Sequence, residues 1–197
     1  KPVFEKDIFF MWIKVAVACI PSAVVGILCD DYIDAHLHTP VVIAIMLIFY
    51  GVLFIIVENW NKKRTPSVAA LSDINYKTAL IIGAFQVLSL IPGTSRSGAT
   101  IIGALLIGVS RVAAAEFTFF LAVPTMLGAS LVKLVKFGFH FTSPELITLI
   151  LGMAVAFFVS VFVIKFLMSF IKKHDFKVFG WYRIALGIVV IAYFAFV

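Results

Sequence analysis

A short polar segment between two apolar runs contains the residues best suited to chemistry. Its glycine and hydroxyl residues are Gly93, Ser95, Ser97, Gly98 and Thr100. Glycines allow backbone N–H groups to approach a ligand closely, and hydroxyl groups can donate hydrogen bonds to it. Arg96 adds a planar set of donors that matches two phosphate oxygens at once. A helix that begins beside Gly98 would direct its positive end at the same place, so this segment is predicted to bind phosphate.

The rest of the chain is too apolar for a soluble protein. Of its 197 residues, 63% are hydrophobic and 13% are charged, against about 45–50% and about 25% in ordinary soluble domains. These values predict a polytopic membrane protein and exclude a large soluble domain. The net charge of +6 indicates contact with anionic lipid headgroups. A membrane is therefore the expected partner, and a nucleic acid is not.

Five apolar stretches are long enough to form membrane-spanning helices. They cover residues 8–29, 41–57, 112–135, 146–168 and 179–197. Two shorter apolar runs, 79–92 and 101–109, flank the polar segment, and each is too short to cross a bilayer comfortably. Such a broken pair is typical of a re-entrant hairpin, whose turn must be buried in protein or face a wet cavity. The predicted fold is an all-α polytopic membrane protein with about five spanning helices and one re-entrant hairpin.

The distribution of basic residues predicts the orientation of these helices. With the amino end in the cytoplasm, most lysines and arginines fall on the cytoplasmic side, and only Lys133 and Lys136 fall outside. The cytoplasmic set is Lys1, Lys6, Lys62, Lys63, Arg64, Lys77, Arg111, Lys172, Lys173 and Lys177. Arg183 lies near a cytoplasmic helix end, where its side chain is expected to reach the interface. By the positive-inside rule the hairpin enters from the cytoplasmic side.

The polar segment also has two alternative interpretations. Its glycine spacing is that of a nucleotide-binding P-loop, but Ala99 stands where that loop needs lysine and no strand precedes it. Glycines also permit close helix packing, and hydroxyl groups bond back to their own helices. Packing does not explain Arg96, because an arginine deep in a membrane is costly unless paired and usually marks a route for substrate or ions. We therefore favour an anion site.

Residues 92–100, PGTSRSGAT, resemble the PGxSRSxxT signature of the bacterial undecaprenyl-pyrophosphate phosphatases, also called bacitracin-resistance proteins. The similarity continues upstream through residues 83–88 and downstream through 108–111 and 116–124. The spanning helices on both sides also look like those of this family. The resemblance thus covers essentially the whole chain.

The resemblance implies a hydrolase of the bacterial inner membrane. Its substrate would be a polyprenyl pyrophosphate lipid, converted into the monophosphate carrier lipid of cell-wall synthesis, and a homodimer is one assembly that it allows. The implied site residues are Arg96 and Ser95 as catalytic and Gly93, Ser97, Gly98 and Thr100 as substrate-binding. The family is built from two inverted repeats. By that comparison, residues 1–78 hold the last two spans of the first repeat and a cytoplasmic loop, and 79–197 hold the second repeat, with its hairpin at 79–109.

One family motif has no counterpart in this sequence. It is a glutamate-rich stretch, similar to EGxTEFLPVSSTGH, that is expected upstream of Lys1. In the family it supplies the carboxylates thought to hold a divalent cation, Mg²⁺ or Ca²⁺, so no metal ligand is predicted in this chain. The nearest carboxylates, Asp73 and Glu116, flank the hairpin. Glu116 is interpreted as an ion-pair partner of Arg183 or Arg111 rather than as a catalytic group.

A transporter is the second functional class that the sequence allows. Secondary transporters also hold anionic substrates with broken helices and buried arginines near the middle of the membrane. A polyprenyl-phosphate flippase or an anion transporter is therefore the alternative to a phosphatase. Hydrolysis needs a base, nucleophile or metal site that simple binding does not, and those groups separate the two classes. A purely structural membrane subunit would leave Arg96 unexplained.

Overall fold

A computed structural model of the chain describes residues 6–62, 64–138 and 141–196. Lys1 and Lys63, which were predicted to be cytoplasmic, lie outside the described residues. The described part contains seven α-helices and no strand. They are α1 Lys6–Leu37, α2 Pro40–Asn61, α3 Tyr76–Val87, α4 Arg96–Leu106, α5 Arg111–Phe137, α6 Ser143–Lys173 and α7 Lys177–Phe196. This confirms the predicted all-α fold.

Five of these helices are long and apolar enough to cross a membrane: α1, α2, α5, α6 and α7. The number of spans therefore agrees with the prediction. The first helix is longer than predicted, because it continues past Cys29 to Leu37. This extension is polar, and just beyond its end Nδ1 of His38 lies 2.9 Å from a carboxylate oxygen of Asp34, both side chains being exposed. An acidic segment therefore continues the helix beyond the predicted span.

The short helices α3 and α4 form the predicted re-entrant hairpin. They have 12 and 11 residues, which gives lengths of about 18 and 16 Å against a hydrocarbon core of about 30 Å. The two ends of the hairpin return to the same place. The backbone N–H groups of Ser67 and Val68 donate to the Gly108 carbonyl at 2.9 and 3.2 Å, and Ser110 donates to Val68 at 2.8 Å. The chain that enters the hairpin thus pairs with the chain that leaves it.

Close packing fixes the hairpin against α1. A Cβ atom on Gly83 of α3 would lie 2.1 Å from the carbonyl oxygen of Ala18 in α1, so only glycine fits there. One turn further on, the buried Gln86 amide donates a hydrogen bond of 2.6 Å to the Ser22 hydroxyl of α1. Small residues that let helix backbones approach are the usual basis of helix association in membranes. These contacts therefore fix the position of the hairpin along α1.

The turn of the hairpin, residues 91–95, is called the tip below, and it lies against α2. Gly93 has φ of +87°, and a Cβ atom there would lie 2.5 Å from the carbonyl oxygen of Ile43. Ile43 is in the first turn of α2, whose start faces the outside in the predicted orientation. The hairpin therefore penetrates most of the length of α2. The further division of the chain at residue 78 into parts of two inverted repeats stays a prediction.

The re-entrant hairpin can be tested by determining the side of the membrane from which its flanking residues are chemically labelled. Cysteines at Lys77, which is exposed at the start of α3, and at Val112, which lines a cavity at the start of α5, are expected to be labelled from the cytoplasm only. Cys19 and Cys29 are first replaced by alanine, since both are free. The measurement is reaction with a membrane-impermeant maleimide in intact cells and in inverted vesicles. Labelling of the two positions from opposite sides would contradict the hairpin.

Candidate functional site

The tip turns tightly and ends on the N-terminus of α4. Its backbone is closed by a hydrogen bond of 3.1 Å from the Thr94 N–H to the Ile91 carbonyl. Ser95 is the N-cap of α4, and its Oγ accepts from the Gly98 N–H at 3.1 Å. The same oxygen lies 3.1 Å from the hydroxyl of Ser97. Two hydroxyl groups and the positive end of a helix therefore meet at one point, as expected for a phosphate site.

A cavity of about 240 Å³ opens beside these hydroxyl groups. Its polar lining residues are Ser95, Ser97, Thr118, Tyr182 and Arg183, while the rest of the lining is apolar and largely aromatic. The apolar lining includes Phe54, Ile101, Phe119, Leu167, Phe176 and Phe179. These side chains come from α2, α4, α5, α6, α7 and the turn before α7. The cavity can thus hold a ligand with a polar head and an apolar body.

Arg183 reaches the tip from α7. One of its terminal nitrogens donates a hydrogen bond of 2.7 Å to the carbonyl oxygen of Gly93, and its buried Nε has no partner within the described residues. The prediction that Arg183 extends to the cytoplasmic interface is therefore wrong. The side chain is half-buried because it lies between α7 and the tip. The sequence did contain a signal for a role at the site, because Arg183 lies inside an apolar helix and an intramembrane arginine usually marks a functional site.

Arg96 points to another side of the α4 N-terminus. Its guanidinium donates to the hydroxyl of Thr125 in α5, and it is absent from the lining of the apolar cavity. Thr125 in turn donates to the Leu121 carbonyl at 2.6 Å. The structure thus brings Ser95 and Ser97 together with Arg183, with Arg96 on the neighbouring face. The role of Arg96 as the main phosphate ligand stays a prediction.

The remaining predicted site residues lie in the frame of the tip. Gly93 provides the turn and the carbonyl that accepts from Arg183, and Gly98 lines the cavity. Thr100 is fully buried, and its hydroxyl lies 3.0 Å from that of Thr118 in α5. It therefore joins α4 to α5 in this structure. Its predicted contact with substrate stays a prediction.

Glu116, one of the two carboxylates that flank the hairpin, was assigned the wrong partners. Arg111 pairs with Glu58, which is fully buried at the end of α2, and Arg183 bonds to the tip. Glu116 is half-buried and has no ion pair within the described residues, so its predicted pairing is wrong. Asp73 accepts from the Ala70 N–H at 3.0 Å and closes a turn before α3. Among the described residues, neither Asp73 nor Glu116 belongs to a cluster of metal-ligating side chains.

The chemistry of the tip suits an anion and does not suit a divalent cation. The described residues contain no group of three or more histidine, cysteine, aspartate or glutamate side chains. Hydroxyl groups, backbone N–H groups and guanidinium groups surround the α4 N-terminus. Mg²⁺ and Ca²⁺ prefer carboxylate and carbonyl oxygens, and two arginines would repel them. The residues present therefore fit a phosphate group.

The fold and the site define an α-helical membrane protein with a re-entrant hairpin whose tip carries hydroxyl and guanidinium groups. The family model of the bacitracin resistance protein BacA matches residues 2–189, and the chain belongs to this family. It is 80% identical over 189 residues to an undecaprenyl-diphosphatase of Enterococcus faecalis, covering 96% of this chain and 68% of the relative. It is 60% identical over 192 residues to an undecaprenyl-diphosphatase of Desulfitobacterium hafniense, covering 97% and 69%. The relative from Acetivibrio thermocellus is 59% identical over 190 residues, covering 96% and 70%.

A close glycine contact between α2 and α7 holds Arg183 near the tip, and the effect of disrupting this contact can be measured. A Cβ atom on Gly180 would lie 2.7 Å from the Gly51 carbonyl oxygen, so Gly180→Ala must push the helices apart. We expect Gly180→Ala to lower the free energy of unfolding by about 1–3 kcal/mol, as overpacking usually does, and to lower phosphate release. Gly152→Ala in α6 is the matched control, since no atom lies within 4 Å of its added Cβ. Equal thermal stability of the two variants would contradict the contact.

Proposed function

We propose that this protein removes the terminal phosphate of undecaprenyl pyrophosphate and leaves undecaprenyl phosphate. The observation that carries the proposal is that Ser95, Ser97 and Arg183 line one largely apolar cavity beside the α4 N-terminus. The names of the relatives, each an undecaprenyl-diphosphatase, support the same activity. A polar head joined to a long apolar chain matches the polar and apolar parts of this lining.

The residues of the tip have distinct tasks in this reaction. Negative charge develops on the phosphoryl oxygens and on the leaving phosphate as the anhydride bond breaks. The guanidinium groups of Arg96 and Arg183, with the first N–H groups of α4, stabilise that charge because they are already held in place. Ser95 and Ser97 donate hydrogen bonds that orient the pyrophosphate. A serine hydroxyl attacks only with an adjacent base, and the described residues place no carboxylate or histidine against Ser95.

The apolar part of the cavity is proposed to hold the first isoprene units of the lipid. Phe54, Phe119 and Phe179 form its wall, and none of these side chains offers a hydrogen bond. The hydrophobic gain is proportional to the apolar area removed from water. The cavity is too small for the whole lipid tail, so the distal units are expected to extend into the bilayer. Such binding would tolerate shorter polyprenyl chains.

A divalent cation, Mg²⁺ or Ca²⁺, is proposed as cofactor on the family resemblance alone. The described residues at the tip do not fit it, because they present donors and positive charge. Its carboxylate ligands are proposed to belong to the glutamate-rich stretch that has no counterpart in this chain. Within this chain, the site residues act on the phosphate groups.

The cellular setting is proposed from the family and the helix pattern. Five helices of spanning length make the chain a multi-pass membrane protein, and we propose the bacterial inner membrane, where the carrier lipid of cell-wall synthesis is used. A homodimer is also proposed. Its support is α6, which has 31 residues and a single buried one, Ile171, among the described residues. Cross-linking between cysteines at Phe157 of two copies would test this assembly.

Phosphate release from undecaprenyl pyrophosphate is the experiment that tests the function. The purified protein, expressed from its gene and supplied with Mg²⁺ or Ca²⁺, is expected to release one phosphate and to leave undecaprenyl phosphate intact. Movement of the intact pyrophosphate lipid between the two leaflets of vesicles, without phosphate release, would support the flippase alternative and contradict the proposal. Farnesyl pyrophosphate serves as the short-chain comparison.

A further inference from the structure

A second cavity, which shares no lining residue with the cavity at the tip, lies at the ends of α2, α5 and α6 that the predicted orientation places in the cytoplasm. It has a volume of about 500 Å³. Four of its lining residues are cations: Lys62, Arg64, Arg111 and Lys172. Charged groups of one sign around a single cavity repel one another unless counterions are present. We call this cavity the basic cavity, and its charge needs an explanation that the site at the tip does not provide.

Two of the four cations already have carboxylate partners. Arg111 forms an ion pair with the buried Glu58, and Lys62 lies 3.1 Å from Asp175. Desolvation acts to raise the pKa of Asp175, but the hydrogen bond and charge of Lys62, with Lys177, hold that pKa below its ordinary value. The carboxylate is therefore ionised at neutral pH and keeps Lys62 engaged. These pairs fix the walls of the basic cavity without cancelling its net positive charge.

The other two cations have no carboxylate partner within the described residues. The guanidinium of Arg64 lies 4.0 Å above the ring of Trp60, an arrangement that orients it while leaving its donors available. Lys172 forms no ion pair among the described side chains. Ser110 caps α5 at the same wall, so the positive end of that helix adds to the field. Two of the four cations that line the basic cavity are therefore available to bind an anion.

The surroundings of the basic cavity indicate where that anion comes from. Val112 and Ile171 add apolar atoms to the lining, next to the lipid-facing surface of α6. Trp60 is 44% exposed at the same level, as is usual for tryptophan at a membrane interface. The cytoplasmic leaflet carries anionic lipids that basic pockets between transmembrane helices attract. A headgroup can enter the basic cavity while its acyl chains stay beside α6.

We propose that the basic cavity binds the phosphate group of an anionic phospholipid of the cytoplasmic leaflet, through Arg64 and Lys172. This site is separate from the tip and does not depend on the proposed phosphatase activity. The bound lipid joins the ends of α2, α5 and α6. It is therefore expected to stabilise the folded protein, by binding the native state only.

Thermal unfolding in detergent tests this site with defined lipids. Dioleoylphosphatidylglycerol is expected to raise the unfolding temperature of the wild-type protein, whereas dioleoylphosphatidylcholine at the same mole fraction is not. In Arg64→Gln/Lys172→Gln, the apparent affinity for the anionic lipid is expected to fall by about thirtyfold, the effect of two interfacial cations. Lys77→Gln/Lys165→Gln is the matched control, because it removes two exposed cations outside the basic cavity.

Three results would overturn the proposal. The first is equal stabilisation by the two lipids, and the second is an equal loss of affinity in both double variants. The third is stabilisation by inorganic phosphate alone that displaces phosphatidylglycerol, which would assign the basic cavity to a free phosphate. The single variants Arg64→Gln and Lys172→Gln are measured as well, so that poor folding of the double variant does not decide the outcome. Both ion pairs of the cavity stay intact in all these variants.

Discussion

Arg96→Ala is expected to lower the rate of phosphate release by about a thousandfold, the upper range for loss of one preorganised donor that stabilises transition-state charge. Arg96 lies at the first position of α4, directly after the capping Ser95. Its charge therefore adds to the positive end of the helix, although its guanidinium lies on Thr125, on the face of α4 next to the cavity lining. Alanine removes the charge and the donors, while α4 keeps a good helix former at that position.

Two further variants separate the charge of Arg96 from its geometry. Arg96→Lys keeps the charge but loses the planar donor pair, so an intermediate loss of activity is expected. Thr125→Val removes the hydroxyl that accepts from the Arg96 guanidinium and is expected to cost about tenfold to a hundredfold, since a hydrogen bond to a charged group contributes about 1.5–3 kcal/mol. All three proteins are compared for turnover and thermal stability. Near wild-type turnover by a stable Arg96→Ala protein would contradict the role of Arg96.

Local sequence patterns were sufficient to predict the helices that position the site. Apolar length alone separates the spanning α2 from the short α3 and α4, because the bilayer sets the length that a helix needs. The glycine at position 93 was the signal for the turn, and it does adopt a positive φ. Ser95, which caps α4, follows the general preference for hydroxyl residues before a helix. Each of these features depends on a few neighbouring residues.

Side-chain partners were harder to predict, because they depend on which helices pack together. Arg183 and Gly93 are 90 residues apart in the sequence, and they meet only because α7 packs on α2 through Gly180 and Gly51. The pair between Arg111 and Glu58 depends in the same way on the meeting of α2 with α5. The sequence placed Glu116 nearer to Arg111, and that proximity was misleading. Arg183 was expected to reach the cytoplasmic interface, because nothing in the sequence indicated a direction for its side chain within the apolar helix.

Arg183→Met is the second substitution with a large expected effect. Methionine keeps an unbranched apolar stem in α7 but removes the charge and the hydrogen bond to the Gly93 carbonyl. The variant thus loses one of the two guanidinium groups at the tip and one of the contacts that hold the turn. Phosphate release is expected to fall by about a hundredfold, the lower range for loss of one preorganised donor.

The comparison of three variants shows which property of Arg183 matters. Lys165→Met removes an exposed cation from α6 and is expected to keep the wild-type rate, so a general loss of positive charge is controlled. Arg183→Lys retains a charge and one donor, and it should recover part of the activity if charge near the phosphate is the main contribution. If holding the tip is the main contribution, kcat falls in both Arg183 variants while KM changes little. Turnover within twofold of wild type in a folded Arg183→Met protein would show that the contact between α7 and the tip is dispensable. Arg96 would then be the guanidinium that stabilises the phosphate charge, because the reaction would not need that of Arg183.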